Sequence, residues 1–164
     1  MNFLHINIGS NQDRRKNIRL ALSNLKSNFM DVNVSSLFES PAEGFVGRNF
    51  YNVGVNVKTQ HNINEVVNIL RNIENALGRD RSLPKFSSRI IDLDLVLYND
   101  IMNETLNVPR RDILKYAFVL APLAELIPDH IHPQKGTSYS VLWIEFQSSK
   151  NFVLNQYNND ILFD

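Results

Sequence analysis

Apolar and polar residues alternate along FLHINI (residues 3–8), a two-residue period that predicts a β-strand, and the run stops at the turn cluster Gly9-Ser10-Asn11. The period then changes. Ile18, Ala21, Leu22, Leu25 and Phe29 recur at helical spacing and predict a first helix with one buried stripe. VNVSSLF (32–38) and FYNVGVNV (50–57) read as a second and a third strand, separated by the Gly- and Pro-containing loop SPAEGFVGRN (40–49). Asn62 followed three residues later by Glu65 has the form of a capping box, and Ile63, Val66, Val67, Leu70, Ile73 and Leu77 supply the stripe of a second helix that Gly78 is placed to end. A basic loop (79–89) leads into a fourth strand at 90–98. Short helical and loop segments then alternate around Pro109, Pro122, Pro128 and Pro133. The order β-α-β-β-α-β predicts an α+β, ferredoxin-like fold: a largely antiparallel sheet with helices on one face and additional C-terminal helices. At 164 residues, with no internal repeat or low-complexity linker, a single domain over 1–164 is expected.

The fourth strand breaks the pattern. In RIIDLDLVLY, Ile91, Leu93, Leu95 and Leu97 form one wholly apolar face, whereas Ile90, Asp92, Asp94, Val96 and Tyr98 form the other. Both carboxylates thus leave the same side of the strand, about 6–7 Å apart at Cβ from the strand rise. Isolated buried carboxylates are costly unless they are paired, protonated or bound to a metal, so something must sit against them. Arg79, Arg81, Lys85 and Arg89 stand in the loop just before them. Acids beside bases form either an ion-pair network or a polyphosphate site, in which aspartate oxygens hold Mg²⁺ and guanidinium forks hold phosphate.

Composition narrows the choice. Seventeen basic residues balance seventeen acidic ones, so nucleic acid and anionic membranes are not expected partners, and any electrostatic function is local. There are no cysteines, which excludes disulfides, thiolate nucleophiles and zinc–cysteine sites. His5, His61, His130 and His132 lack metal-binding spacing and read as structural or solvated. The start of the chain shows no basic-then-apolar leader, and no apolar run approaches the roughly 20 residues that span a bilayer; the cytoplasm is the expected compartment. No G-x-x-x-x-G-K-[ST] motif is present, so side chains and metal would have to hold a phosphate chain.

RIIDLDLVL after a basic loop, followed by V-P-x-x-D-x-x-x-x-A-F-V-L-A-P-L-A-E-L at 108–126, resembles the 6-hydroxymethyl-7,8-dihydropterin pyrophosphokinases of folate biosynthesis. IGSN (8–11), SPAEG (40–44), FYN (50–52) and Glu74 fall in the family's order, and the resemblance runs from about residue 3 to residue 147. It implies transfer of the β,γ-pyrophosphoryl group of ATP to the hydroxymethyl oxygen of a reduced pterin, with release of AMP and two Mg²⁺ ions as cofactors. By the same resemblance Asp92 and Asp94 bridge the magnesium ions, and Asp92 also lies near the pterin hydroxyl. Arg79 and Arg89 contact the triphosphate, and Arg81 and Lys85 come from a loop that closes over ATP. Phe50 and Phe118 stack on the pterin, Asn52 reads its edge, backbone groups of Ser40, Pro41 and Glu43 complete that reading, and Phe86 matches a tryptophan that caps the ring. A monomer, or at most a weak dimer, is expected.

The departures from the family pattern cluster at the nucleotide end. Arg110 and Arg111 stand where family members carry a histidine and often a tyrosine after V-P, Tyr116 replaces an arginine, and Arg71 on the second helix replaces a glutamine. All four are assigned to the nucleotide. Two other classes fit the residues: a palm-type nucleotidyltransferase or cyclase, which also mounts paired aspartates on such a sheet, and a non-catalytic pterin- or nucleotide-binding relative.

Overall fold

The computed structural model describes residues 1–84 and 88–163. Its sheet contains β1 (Asn2–Ser10), β2 (Met30–Val34), β3 (Leu37–Ser40), β4 (Phe50–Thr59), β5 (Asp92–Tyr98) and β6 (Asn155–Tyr157), interleaved with the helices α1 (Arg14–Asn28), α2 (Ile63–Ala76), α3 (Ala117–Leu126) and α4 (Tyr139–Ser149). The strands run β5-β1-β4-β3-β6, every neighbour is antiparallel, and β2 also pairs with β4. This is the α+β ferredoxin-like arrangement that the order of elements predicts, with α3 and α4 as the additional C-terminal helices.

One face of the sheet packs on α1 and α2. Ile6, Ile8, Val53, Val55, Leu93 and Leu95 meet Ile18, Leu22, Leu25, Val66, Leu70 and Ile73 there, the two helical stripes read from the sequence. The predicted capping box is complete: the Asn62 side chain accepts from Glu65 N–H, and the Glu65 carboxylate accepts from Asn62 N–H. Gly78 follows the helix at φ 92°, where a glycine costs least. The other face meets α3 and α4 through a second apolar cluster that includes Val96, Leu97, Leu120, Leu123 and Leu142.

Three details depart from the sequence reading. The predicted strand at 32–38 is two strands, because the Ser35 hydroxyl takes the Gly54 N–H (2.8 Å) and donates to the Ser36 carbonyl (2.7 Å), displacing the regular ladder. Ser36 in turn donates its hydroxyl to the Glu125 carboxylate at 2.6 Å, which ties α3 to the break. The fourth strand begins at Asp92, not at residue 90, and it carries a bulge: Leu95 pairs with Ile6 and Leu97 with His5, so Val96 has no partner in β1. Leu97 therefore joins Val96 on the α3 face, and Tyr98 turns to the α1/α2 face, opposite to the simple alternation. The third departure is β6, an exposed polar strand on the edge of β3.

Helix α3 leaves part of its face open. Pro122 lies against Gly54, and a Cβ at Gly54 would collide with Pro122 and come within 2.7 Å of His5 Cε1. Close approach of helix and sheet depends on that missing side chain. Gly54→Ala should cost about 1–3 kcal/mol by overpacking, read as a lower urea midpoint with an unchanged slope. His5, fully buried beneath the helix, hydrogen-bonds Asn56 Oδ1 through Nδ1 at 2.6 Å, and burial drives its pKa down to about 4, so it is neutral.

Candidate active site

Beyond Pro122 the same face is open. Its floor is built from rows across three strands: Asp92 beside Gly9 beside Asn52, and Asp94 beside Asn7 beside Gly54. Gly9 keeps the floor low between Asp92 and Asn52, since a Cβ there would lie 3.2 Å from Asn52 Oδ1. The cleft measures about 490 Å³. Phe45 and Phe50 wall one side, Tyr116 and Phe118 another, and Arg79, Arg89 and Arg110 stand around the carboxylates.

Each cation is placed by the backbone around it. Asn11 accepts from Arg89 N–H at 2.7 Å, its own N–H donates to the Arg89 carbonyl at 3.0 Å, and Ser10 Oγ donates to the Ile90 carbonyl. The Ser-Asn pair after Gly9 is thus a clamp on the segment that aims Arg89. Glu74, nearly buried on α2, holds Arg81 at 2.8 Å, binds Arg79, and accepts from Leu93 N–H at 2.9 Å. Arg79 extends from there to Asp92 at 2.7 Å, with Arg89 Nε 3.7 Å from the same carboxylate. Arg110 donates its backbone N–H to the bulged Val96 carbonyl at 2.9 Å, and its guanidinium reaches Asp94 at 3.6 Å and Asp112 at 3.0 Å. The bulge that upsets the side-chain alternation therefore seats Arg110 over the acidic pair.

Burial raises the pKa of both aspartates. For Asp92, Arg79 offsets part of that rise; for Asp94, Arg110 offsets part, and the neighbouring charge of Asp92 adds to it, leaving Asp94 at about 7. Both side chains stay partly open to the cleft, 27% and 33% exposed. Burial works against the charge on Arg79 and Arg110, yet the carboxylates around them hold both pKa values up.

Most of the residues singled out from sequence meet here. Asp92, Asp94, Arg79, Arg89, Arg110, Arg111, Tyr116, Ser40, Pro41, Glu43, Phe50, Asn52 and Phe118 line the cleft. Arg81 reaches it only through Glu74. Arg71 is exposed on α2 and is not part of the lining. Lys85 and Phe86 lie outside the described residues. Sequence reading missed Asn7, Gly9, Phe45, Asn107, Asp112 and Lys115 as lining residues. Asn7 gave no separate signal, since it occupies the polar phase of an alternating strand.

A hard cation fits this floor. Asp92 and Asp94 offer oxygens, and Asn7 Oδ1, buried beside Asp94 in the ladder, has no hydrogen-bond partner. Among the described residues no cluster of three or more His, Asp or Glu could enclose a metal. That suits Mg²⁺, which commonly takes one or two carboxylates and completes its shell with water and substrate phosphates. Asn52 Nδ2 donates to Ser40 Oγ at 2.9 Å, so its Oδ1 remains an acceptor for a flat, hydrogen-bonding ring.

Paired acids matched by arginines, next to an aromatic-walled slot on a ferredoxin-like sheet, define a phosphoryl-transfer class of site. The 7,8-dihydro-6-hydroxymethylpterin-pyrophosphokinase family model matches residues 5–128. The chain is 37% identical over 131 residues to the 2-amino-4-hydroxy-6-hydroxymethyldihydropteridine pyrophosphokinase of Bacillus subtilis, covering 76% of this chain and 78% of that protein. It is 33% identical over 135 residues to the enzyme of the same name from Aquifex aeolicus, covering 79% and 83%. Among solved structures, wild-type Plasmodium falciparum HPPK-DHPS shares the fold at a TM-score of 0.70 and 15% identity, over 90% of this chain and 44% of that one; the chain thus spans less than half of that longer protein. The chain belongs to the 7,8-dihydro-6-hydroxymethylpterin-pyrophosphokinase family.

Proposed function

We infer that this cleft carries out the family's reaction with the residues assembled on its floor. The chain is a transferase of folate biosynthesis that moves the pyrophosphoryl group of ATP to the hydroxymethyl group of 6-hydroxymethyl-7,8-dihydropterin. The observation that carries the residue assignment is the convergence of Asp92 and Asp94 with Arg79, Arg89 and Arg110 in one cleft. Asp92 and Asp94 would hold magnesium, as two ions, which when bound would supply charge neutralisation for the phosphate chain. Arg79, Arg89 and Arg110 bind its oxygens, with Arg81, Arg111 and Tyr116 toward the nucleotide. The pterin enters between Phe50 and Phe118, and Asn52 Oδ1 accepts from a ring N–H while the 40–43 backbone reads the remaining edge. Placing Asp92 beside Gly9 lets the hydroxymethyl oxygen approach in line without a side chain between them. Transfer of this kind depends on positioning and charge neutralisation more than on covalent help from the protein.

The whole of 1–164 acts as one domain in this reading, a cytoplasmic monomer with small-molecule partners and without nucleic acid. Incubation with ATP, Mg²⁺ and the reduced hydroxymethylpterin should yield AMP and the pterin diphosphate in equal amounts. A palm-type nucleotidyltransferase would release pyrophosphate from ATP instead, and a non-catalytic relative would release neither; the family match favours AMP. Failure to form AMP at any metal concentration would overturn the assignment.

A further inference from the structure

We propose that Arg110 is an internal counterion that holds Asp94 while the metal is absent and surrenders it when metal and nucleotide arrive together, so that metal loading is coupled to nucleotide binding. The proposal rests on the metal-binding reading of Asp92 and Asp94 given above. Two adjacent groups of ion pairs meet at the cleft: Glu74 and Asp92 with Arg79, Arg81 and Arg89, and Asp94 and Asp112 with Arg110, together a set of four carboxylates and four guanidiniums. With all four carboxylates ionised, the two groups together are electrically balanced. A divalent cation arriving alone unbalances them and must also displace a guanidinium, whereas a cation arriving with a polyanionic triphosphate restores the balance and gives the displaced guanidinium a new anion.

Arg110 is the member of the set built to move. Arg79 is held between two carboxylates, its Nη1 bound by Glu74 and by Asp92 at 2.7 Å. Arg110 is anchored by its backbone on Val96 and by Nε on Asp112 at 3.0 Å, while its terminal Nη2 touches Asp94 at only 3.6 Å. Rotation of the guanidinium about its Asp112 contact releases Asp94 without breaking the anchor. A neutral histidine at this position would offer no such standing charge, so the coupling is a property of the arginine.

Mn²⁺ serves as the probe, with free ion followed by electron paramagnetic resonance on the intact chain and α,β-methylene-ATP as an uncleavable nucleotide. Wild type is expected to bind Mn²⁺ weakly alone and much more tightly with the nucleotide. Arg110→Ala should tighten nucleotide-free binding by about tenfold, the scale of one lost charged contact, and shrink the gain that nucleotide brings. Arg110→Lys, which keeps a charge but loses the fork, should fall between. Arg111→Ala, which removes a cleft charge that has no ion pair to Asp94, should tighten it far less. Equal tightening in Arg111→Ala, or unchanged nucleotide-free affinity in both Arg110 variants, would overturn the exchange while leaving the metal site intact. Asp94→Asn separates the two ideas: if it binds Mn²⁺ as wild type does in the presence of nucleotide, the metal reading itself fails.

Discussion

Asp94→Asn is expected to abolish turnover and to raise stability at neutral pH. Loss of turnover follows if a metal-bridging oxygen is removed, for which several kcal/mol of barrier are at stake and each 1.4 kcal/mol is tenfold; Asp92→Asn should behave alike. Residual activity above about a tenth of wild type would sink the bridging role. The gain in stability has a sign that can be worked out. Asp94 titrates at about 7 in the fold, against 3.8 when unfolded, so its contribution is fully present below 3.8 and is lost as pH rises through 7. His5 runs the other way: it titrates at about 4 in the fold and 6.5 when unfolded, so its contribution is present above 6.5 and is lost as pH falls through 4. For this fully buried group the loss amounts to roughly 3 kcal/mol. The two slopes oppose each other across nearly the same window, which flattens the pH dependence of wild type. Asp94→Asn removes one of them, so urea midpoints of the variant should exceed wild type at pH 7 and fall more steeply toward pH 4. Parallel curves for the two proteins would refute this pairing of opposed titrations.

Glu74→Ala is the substitution expected to cost most stability, about 3–5 kcal/mol, the range for breaking a buried ion pair by removing one partner. Its carboxylate, 6% exposed, receives Arg79, Arg81 and the Leu93 N–H. Removal orphans the amide and leaves Arg79 with Asp92 as its remaining ion-pair partner. Glu74→Gln keeps an acceptor for Leu93 and should recover part of the loss, whereas a Glu74→Ala protein within about 1 kcal/mol of wild type would show that these contacts hold little. Turnover should fall in both variants, because the arm that aims Arg79 is gone.

How far the sequence discloses this molecule depends on which interaction decides each feature. Both main helices and the capping box at Asn62 were legible because local periodicity and a three-residue spacing determine them. The shared face of Asp92 and Asp94 was legible for the same reason, as they lie before the bulge. At Val96 the register is decided by what β1 offers opposite, and no period within β5 records that. Ser35 is similar: two serines inside a β-prone run look like strand residues until Gly54 is seen across from them. Strand β6 has no buried side, so it leaves no alternation to read. In the site, the charged residues near the DLD motif announced themselves by density, while Asn7 and Phe45 are single residues whose meaning comes from the walls that surround them. Arg71 was placed by analogy of position alone, and it lies on the exposed side of α2.

The acidic strand β5 is also an outer edge of the sheet, the kind of border along which a second polypeptide could add itself in register. Here that border is already taken: Leu93 N–H is occupied by the Glu74 carboxylate and the Val96 carbonyl by Arg110 N–H. A neighbouring chain that zipped onto β5 would have to evict both groups, and with them the scaffolding of Arg79 and Arg110. Filament growth along this border and an assembled phosphate cradle are therefore mutually exclusive states of the same few atoms.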